Sequence, residues 1–210
     1  MQPVTQILGL DISLNHTGWC FCECAAPGAL NFGVHNLEKS RLDEIGKMDF
    51  IVEWLKPMLR PGLLVVIEGF AFHAQGKAVL QLAGLQYLVR HQLFQNGTPF
   101  RLITPNQGKK FLTGKHNADK NVILKEVFKR YRIDVDDHNV ADAINMNRIG
   151  QALIGLVRVE NQAQREVVEE LAAGKALRKT KRTANATSLH ANRPLEGGCL
   201  APESAMEPQS

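Results

Sequence analysis

The sequence predicts an α/β fold in which a mixed five-stranded sheet, in the order 3-2-1-4-5, carries helices on its faces. Three observations lead there. Three short apolar runs punctuated by turn residues open the chain within residues 7–34. Two further apolar runs, at 63–67 and 100–103, each follow a stretch of helical periodicity. Strands joined directly pair as an antiparallel meander, whereas strands separated by helices can join the same sheet in parallel.

The first strand spans 7–13, an apolar run ending in polar residues, and the second and third span 18–24 and 30–34. Asn15, Pro27 and Gly28 supply the turns between them. A helix follows over 41–59, with Ile45, Met48, Ile51, Val52 and Leu55 at helical spacing, Pro57 in its last turn and Pro61-Gly62 closing it. Residues 63–67 are continuously apolar, the pattern of a strand covered on both faces. A second helix at 76–93 ends at Asn96-Gly97, and the fifth strand is 100–103. Helices at 118–131 and about 140–159 complete the order β-β-β-α-β-α-β-α-α. There is no internal repeat.

These elements define a domain over 1–160, followed by a basic helical extension at 161–180. Lys175, Arg178, Lys179, Lys181 and Arg182 crowd together where the composition changes. The tail, 181–210, has too few apolar residues to repay its ordering entropy and is expected to be disordered.

A hydrophobic content of 44% supports a real core, and a net charge of +4 is compatible with a nucleic-acid partner without demanding one. Cys20, Cys22 and Cys24 form C-x-C-x-C, without the C-x-x-C knuckle of a structural zinc site, and Cys199 stands alone in the polar tail. On a strand the three would lie on one side as small side chains of a sheet surface, with metal or redox use the alternative. The first residues lack a basic stretch followed by an apolar one, so no signal peptide is expected. No apolar run approaches the roughly 20 residues that span a bilayer. The expectation is a cytoplasmic, reduced protein with no membrane partner.

The chemistry is carried by acids. Asp11 follows Ile7-Leu8-Gly9-Leu10 on the first strand, and Glu68 follows Val65-Val66-Ile67 at the end of the fourth. A carboxylate ending an apolar strand is costly to bury alone and needs a cation or a donor. In the order 3-2-1-4-5 these strands are neighbours, so the two acids can converge. A third, Asp142, lies on the helix that opens Asp136-Asp137-His138-Asn139, beside Asn139 and His138 on one helical face, with Val140 and Ile144 turned to the core. Oxygen ligands from two strands and a helix suit Mg²⁺, with Mn²⁺ able to substitute, rather than Zn²⁺. Two such ions about 4 Å apart can act on a phosphodiester. Each acid also has a plainer reading, as a turn residue or as a helix cap in the case of Asp136 and Asp137.

The runs Ile-Leu-Gly-Leu-Asp11-Ile-Ser-Leu-Asn-His-Thr-Gly-Trp, Val-Val-Ile-Glu68-Gly-Phe-Ala-Phe, Leu-Thr-Gly-Lys-His-Asn-Ala-Asp-Lys120 and Val-Ala-Asp142-Ala together resemble RuvC-type Holliday-junction resolvases, above all the compact ones of bacteriophages and prophages. The resemblance covers about residues 7–155; each motif is weak alone, and the four in order are more specific. It implies a ribonuclease-H-like fold, a homodimer in a bacterial cell, phage- or prophage-encoded, and paired nicks in a branched DNA, the four-way junction. It also implies that Asp11, Glu68 and Asp142 are catalytic metal ligands, holding two ions per site. The family's fourth ligand, an Asp or His, falls three residues before the last, where this chain has Asn139, which offers a carbonyl oxygen without charge; His138 or Asp137 are the substitutes after a small shift of helix register.

Basic residues accompany these acids: Lys109, Lys110, Lys115, Lys120, Lys125, Lys129 and Arg130 stand against only Asp119 and Glu126. Such a stretch neutralises phosphates and makes binding salt-dependent, although a solvated helix face reads the same way, more so for Lys125 and Lys129. The resemblance places Lys120 and one of Lys109 or Lys110 on DNA near the scissile phosphate, with Lys115 in the same basic stretch. Phe70 and Phe72, next to Glu68, read equally as a wedge that unstacks a junction and as core residues.

Three rival readings stand beside this one. Asp11-Ile-Ser-Leu-Asn-His-Thr-Gly18 also resembles the first phosphate loop of sugar kinases and actin-like ATPases, but a second loop is not visible. Asn139 leaves room for a non-catalytic junction-binding module. A nuclease of the same fold acting on other branched DNA or on RNA hybrids would look alike in sequence.

Overall fold

A computed structural model describes residues 3–69 and 76–173. They belong to a compact unit spanning 1–177; the remaining unit, 178–210, lies wholly outside the described residues, and with it the expected disordered tail.

The strands are β1 (Gln6–Asp11), β2 (His16–Glu23), β3 (Asn31–Asn36), β4 (Leu63–Glu68) and β5 (Phe100–Ile103), in one sheet of order β3-β2-β1-β4-β5. β1, β2 and β3 pair antiparallel, while β4 pairs parallel to both β1 and β5. The predicted order therefore holds.

Alternation along the strands divides the core in two. Leu8 and Leu10 of β1, with Leu63, Val65 and Ile67 of β4, face helices α1 (Glu44–Leu55) and α2 (Lys77–Gln95), meeting Met48, Ile51, Leu55, Leu85, Val89 and Leu93. Ile7, Leu64 and Val66 point the other way, into a layer that includes α3 (Pro105–Thr113), α5 (His138–Leu153) and α6 (Gln162–Ala172). α4 (Lys120–Tyr131) packs on α5 through Ile123 and Val127. Full burial of each such aliphatic side chain stabilises the fold by about 1.5–3 kcal/mol.

Several boundaries differ from the sequence reading for local reasons. α1 starts at Glu44 rather than at 41, because Asp43 caps it by accepting a bond from the amide of Gly46 at 2.7 Å. Pro57 sits in a 3₁₀ turn, Lys56–Met58, that follows the helix. α5 begins earlier and ends sooner than 140–159, capped by Asp137 at one end and released at Gly155, with φ of 73°, at the other.

α3 was not expected at all. Thr104 and Gln107 close a capping box at its start, Pro105 occupies the first turn, and Gly114 ends it in the left-handed region with φ of 77°. Among the described residues, the stretch 161–180 is represented by α6, which carries Glu166, Glu169 and Glu170 against Arg165. Its Val167 and Leu171 are buried in the core.

The cysteines call for a correction. Cys20 and Cys22 do share one side of β2, but α5 covers that side and both are fully buried. Burial pushes both thiols up, Cys20 well above its usual range, so they stay protonated as small core residues. No helix among the described residues is long and apolar enough to cross a membrane.

Candidate metal centre

The site follows from register. β1 and β4 run parallel with Leu10 opposite Ile67, so the next residues, Asp11 and Glu68, lie side by side where the strands end. Asp11 is in phase with Ile7 and Glu68 with Leu64 and Val66, which sets both acids on the side covered by α5.

α5 lies against β1 and β2 because glycines admit it. A methyl group at Gly18 would stand 2.1 Å from the carbonyl oxygen of Asn139, and one at Gly9 would stand 2.3 Å from that of Ala143. Gly18 is the antiparallel partner of Asp11. The start of α5 is thus pressed onto the strand pair beside Asp11, which brings Asp142 over the strand ends.

Buried amides fix the helix in that seat. The Nδ2 of Asn147 donates to the carbonyl oxygens of Ile7 at 3.0 Å and Cys20 at 3.1 Å, while its Oδ1 accepts from Gln151 at 2.8 Å. Asn145 donates to the Gly108 carbonyl at 2.9 Å, tying α5 to α3. On the opposite side of the sheet, the buried Gln86 of α2 donates to the backbone carbonyl of Glu68 at 2.7 Å. None of these supporting residues was singled out in the sequence. Asn145, Asn147 and Gln151, set among Ile144, Met146, Ile149 and Ala152, were the available signal, since amides on a buried face imply specific partners.

The result is a cluster in which Asp11, Glu68 and Asp142 each offer a carboxylate oxygen within 4.8 Å of the others, all three partly buried. Loss of solvation, followed by the negative charges of Asp11 and Asp142 and a hydrogen bond with Asp11, pushes the Glu68 carboxyl well above the ordinary range. The opposing influence is Lys109 of α3, whose positive charge reaches Glu68 and favours its ionised form. An all-oxygen, partly desolvated set of three carboxylates fits a hard divalent cation, which would supply the positive charge that the fold itself only partly provides.

The other sequence candidates are distributed around this centre. His138 is the first residue of α5 and lies outside the carboxylate cluster. The Asn139 side-chain amide donates to Asp137 at 3.2 Å, and Asp137 also caps α5 by accepting from the amides of Asn139 and Val140. Lys110 reaches Glu166 of α6 at 2.6 Å, with 13% of its side chain exposed, and its hydrogen bond holds that carboxyl below the usual range. Lys115 is exposed beyond the end of α3. Lys120 opens α4. Phe70 and Phe72 lie outside the described residues.

No protein-family model matches the sequence, and no curated protein matches it. Solved structures do. The chain is similar to a structure of Thermus thermophilus RuvC, with a TM-score of 0.54 and 20% identity, covering 72% of this chain and 97% of that one. It is also similar to T. thermophilus RuvC in complex with Holliday junction substrate, with the same TM-score of 0.54 and 16% identity, over 72% and 97% of the two chains. The five-stranded mixed sheet with its flanking helices is thus the ribonuclease-H-like fold of RuvC.

Proposed function

We propose that this protein is a metal-dependent endodeoxyribonuclease that resolves four-way DNA junctions by paired nicks. The observation that supports it most is the convergence of Asp11, Glu68 and Asp142 within 4.8 Å. The fold adds support, because a protein that shares it has been solved on a Holliday junction substrate.

In this reading the three acids hold Mg²⁺, or Mn²⁺ in its place, and two ions share each site, with Asn139 or His138 completing the ligand set. When bound there, such ions would supply positive charge to an attacking water and to the departing oxygen of the phosphodiester. The protein's own groups do the rest. Asp11 and Glu68 define the floor from two adjacent strand ends, and Asp142 closes the third side from the helix. Lys109, whose charge reaches Glu68, is our candidate for pairing with the scissile phosphate. Lys115 and Lys120 hold the flanking backbone, and Lys110 adds to that basic face once released from Glu166. Phe70 or Phe72, the aromatic residues that follow Glu68 in the sequence, is our candidate for the wedge that opens the junction.

Paired nicks require two such centres. We assign the pairing surface of a homodimer to the outer face of α2, where Leu80, Tyr87, Leu88 and Phe94 are exposed. The bacterial, phage-encoded and cytoplasmic setting suggested by the sequence belongs to the same proposal.

The test is a cleavage assay on four-way, three-way and linear DNA with Mg²⁺, Mn²⁺ or chelator. Paired nicks in the four-way substrate, lost in chelator and in Asp142→Asn, are expected. Tight junction binding with no nick under either metal would make the protein a binding module. Equal cutting of the three-way substrate would make it a broader nuclease of branched DNA.

A further inference from the structure

Away from the acids, a cavity of about 210 Å³ opens between α4, α5, α6 and the segment joining the last two helices. It is lined by Arg130, Tyr131, Arg148, Arg158 and Glu160, with Phe111 among the apolar contributors. Arg148 lies six residues beyond Asp142 on α5, about 9 Å along the helix axis, so the cavity is separate from the carboxylate cluster.

Its charges are unevenly matched. Arg130 is already committed, donating to Glu126 at 3.1 Å and to Glu160 at 3.0 Å. Neither Arg148 nor Arg158 is in an ion pair among the described residues. Arg148 is held in place by bonds from its Nη1 to the Gln151 side chain at 2.9 Å and the Pro27 carbonyl at 3.4 Å, with its guanidinium 5.0 Å from the centre of the Tyr131 ring. Arg158 is exposed to solvent.

Two of the residues around it carry a buried polar atom with no hydrogen-bond partner, the Nε of Arg148 and the hydroxyl of Tyr131. The first can only donate. Burial pushes the Tyr131 hydroxyl well above its usual range, so it too keeps a proton to donate. Buried donors beside two guanidinium groups that stand outside any ion pair suit an acceptor that carries negative charge, and tetrahedral oxyanions offer several oxygens at once. The Glu160 carboxylate accepts from Arg130 at 3.0 Å and makes no bond to either of these two donors.

We infer that the cavity between α4, α5 and α6 is a phosphate-binding site in which Arg148, Arg158 and Tyr131 hold the anion. It stands whether or not the carboxylate cluster cuts DNA. The phosphate comes either from solution, as a free or nucleotide phosphate, or from the backbone of a DNA arm leaving the metal centre.

The test titrates inorganic phosphate and pyrophosphate into the full chain by calorimetry, at constant ionic strength and in chelator. Saturable binding at one site is expected, weakened roughly tenfold in Arg158→Ala and in Tyr131→Phe, as befits loss of a charge-assisted bond. Lys125→Ala, on the exposed surface of α4, should bind as the parent does. Arg158 is exposed and Tyr131→Phe keeps the ring, so both variants fold; circular dichroism confirms it. A second arm measures four-way junction affinity. A matching loss in Arg158→Ala, with competition by pyrophosphate, identifies the DNA backbone as the source, and unchanged junction affinity identifies the free anion. Absence of saturable binding, or equal binding by the parent, Arg158→Ala and Tyr131→Phe, overturns the assignment.

Discussion

The side chain of Gln86 donates a 2.7 Å hydrogen bond to the backbone carbonyl of Glu68, so a helix on one side of the sheet anchors the strand end that carries an acid of the other side. Gln86 is almost fully buried, and this carbonyl is its partner across 18 residues of chain. Gln86→Ala removes the donor and leaves a buried acceptor unmet, which costs about 1–3 kcal/mol. Urea unfolding should show that loss. Cleavage should fall further than junction affinity, because the strand end holding Glu68 loses its anchor. Unchanged stability would mean the carbonyl finds another donor.

Gly9 tests how closely α5 must approach. Any Cβ there meets the Ala143 carbonyl oxygen at 2.3 Å and the Asn147 amide nitrogen at 2.4 Å, backbone atoms that cannot swing aside. Gly9→Ala should therefore cost at least the roughly 1–3 kcal/mol typical of overpacking. It should also lift Asp142 from Asp11, so the rise in Tm expected of the parent in saturating Mg²⁺ should shrink. A variant with full Mg²⁺ stabilisation would show that the helix and the acids move independently.

The raised Glu68 carboxyl gives stability a definite pH dependence. Its folded value lies above the usual 4.5, so the folded state binds the proton more tightly than the unfolded chain. Stability in chelator is then greatest at low pH with respect to this group, and falls as pH rises from about 4.5 through the folded value. Glu68→Gln should flatten that decline, and Mg²⁺ should offset it in the parent at neutral pH. A decline of equal slope in Glu68→Gln would assign it to other groups.

Adjacent lysines should separate in their effects. Lys109 acts on Glu68, whereas Lys110 is bound to Glu166 and ties α3 to α6. Lys109→Ala should lower junction affinity and reduce the salt slope by about one, with little change in Tm. Lys110→Ala should lower Tm with a smaller change in slope. The reverse pattern, measured by fluorescence anisotropy over a salt series, would reassign the phosphate contact to Lys110.

Much of this architecture was legible in the sequence because its signals are local. β4 is an unbroken apolar run whose last residue is an acid, and that pattern alone placed Glu68 at a strand end. The meeting of Asp11 with Glu68 needed only the strand order. α3 escaped because its apolar content is small, although the Thr104-Pro105-Asn106-Gln107 start was a readable capping box. The burial of Cys20 and Cys22 was not legible, since two-sided coverage of β2 depends on where α5 lands. The arginine cavity was hidden for the same reason: Arg130, Arg148 and Arg158 are far apart in sequence and meet only through helix packing.

Asn147 also limits how α5 can move. A buried amide whose partners are two strand carbonyls and a glutamine has one seat. Sliding the helix by a turn, about 5.4 Å, would leave those groups unmet among aliphatic and thiol side chains. The helix is keyed like a shaft in a slot, so its acid arrives at a set depth. Loops around it can then vary without resetting the spacing of the three acids.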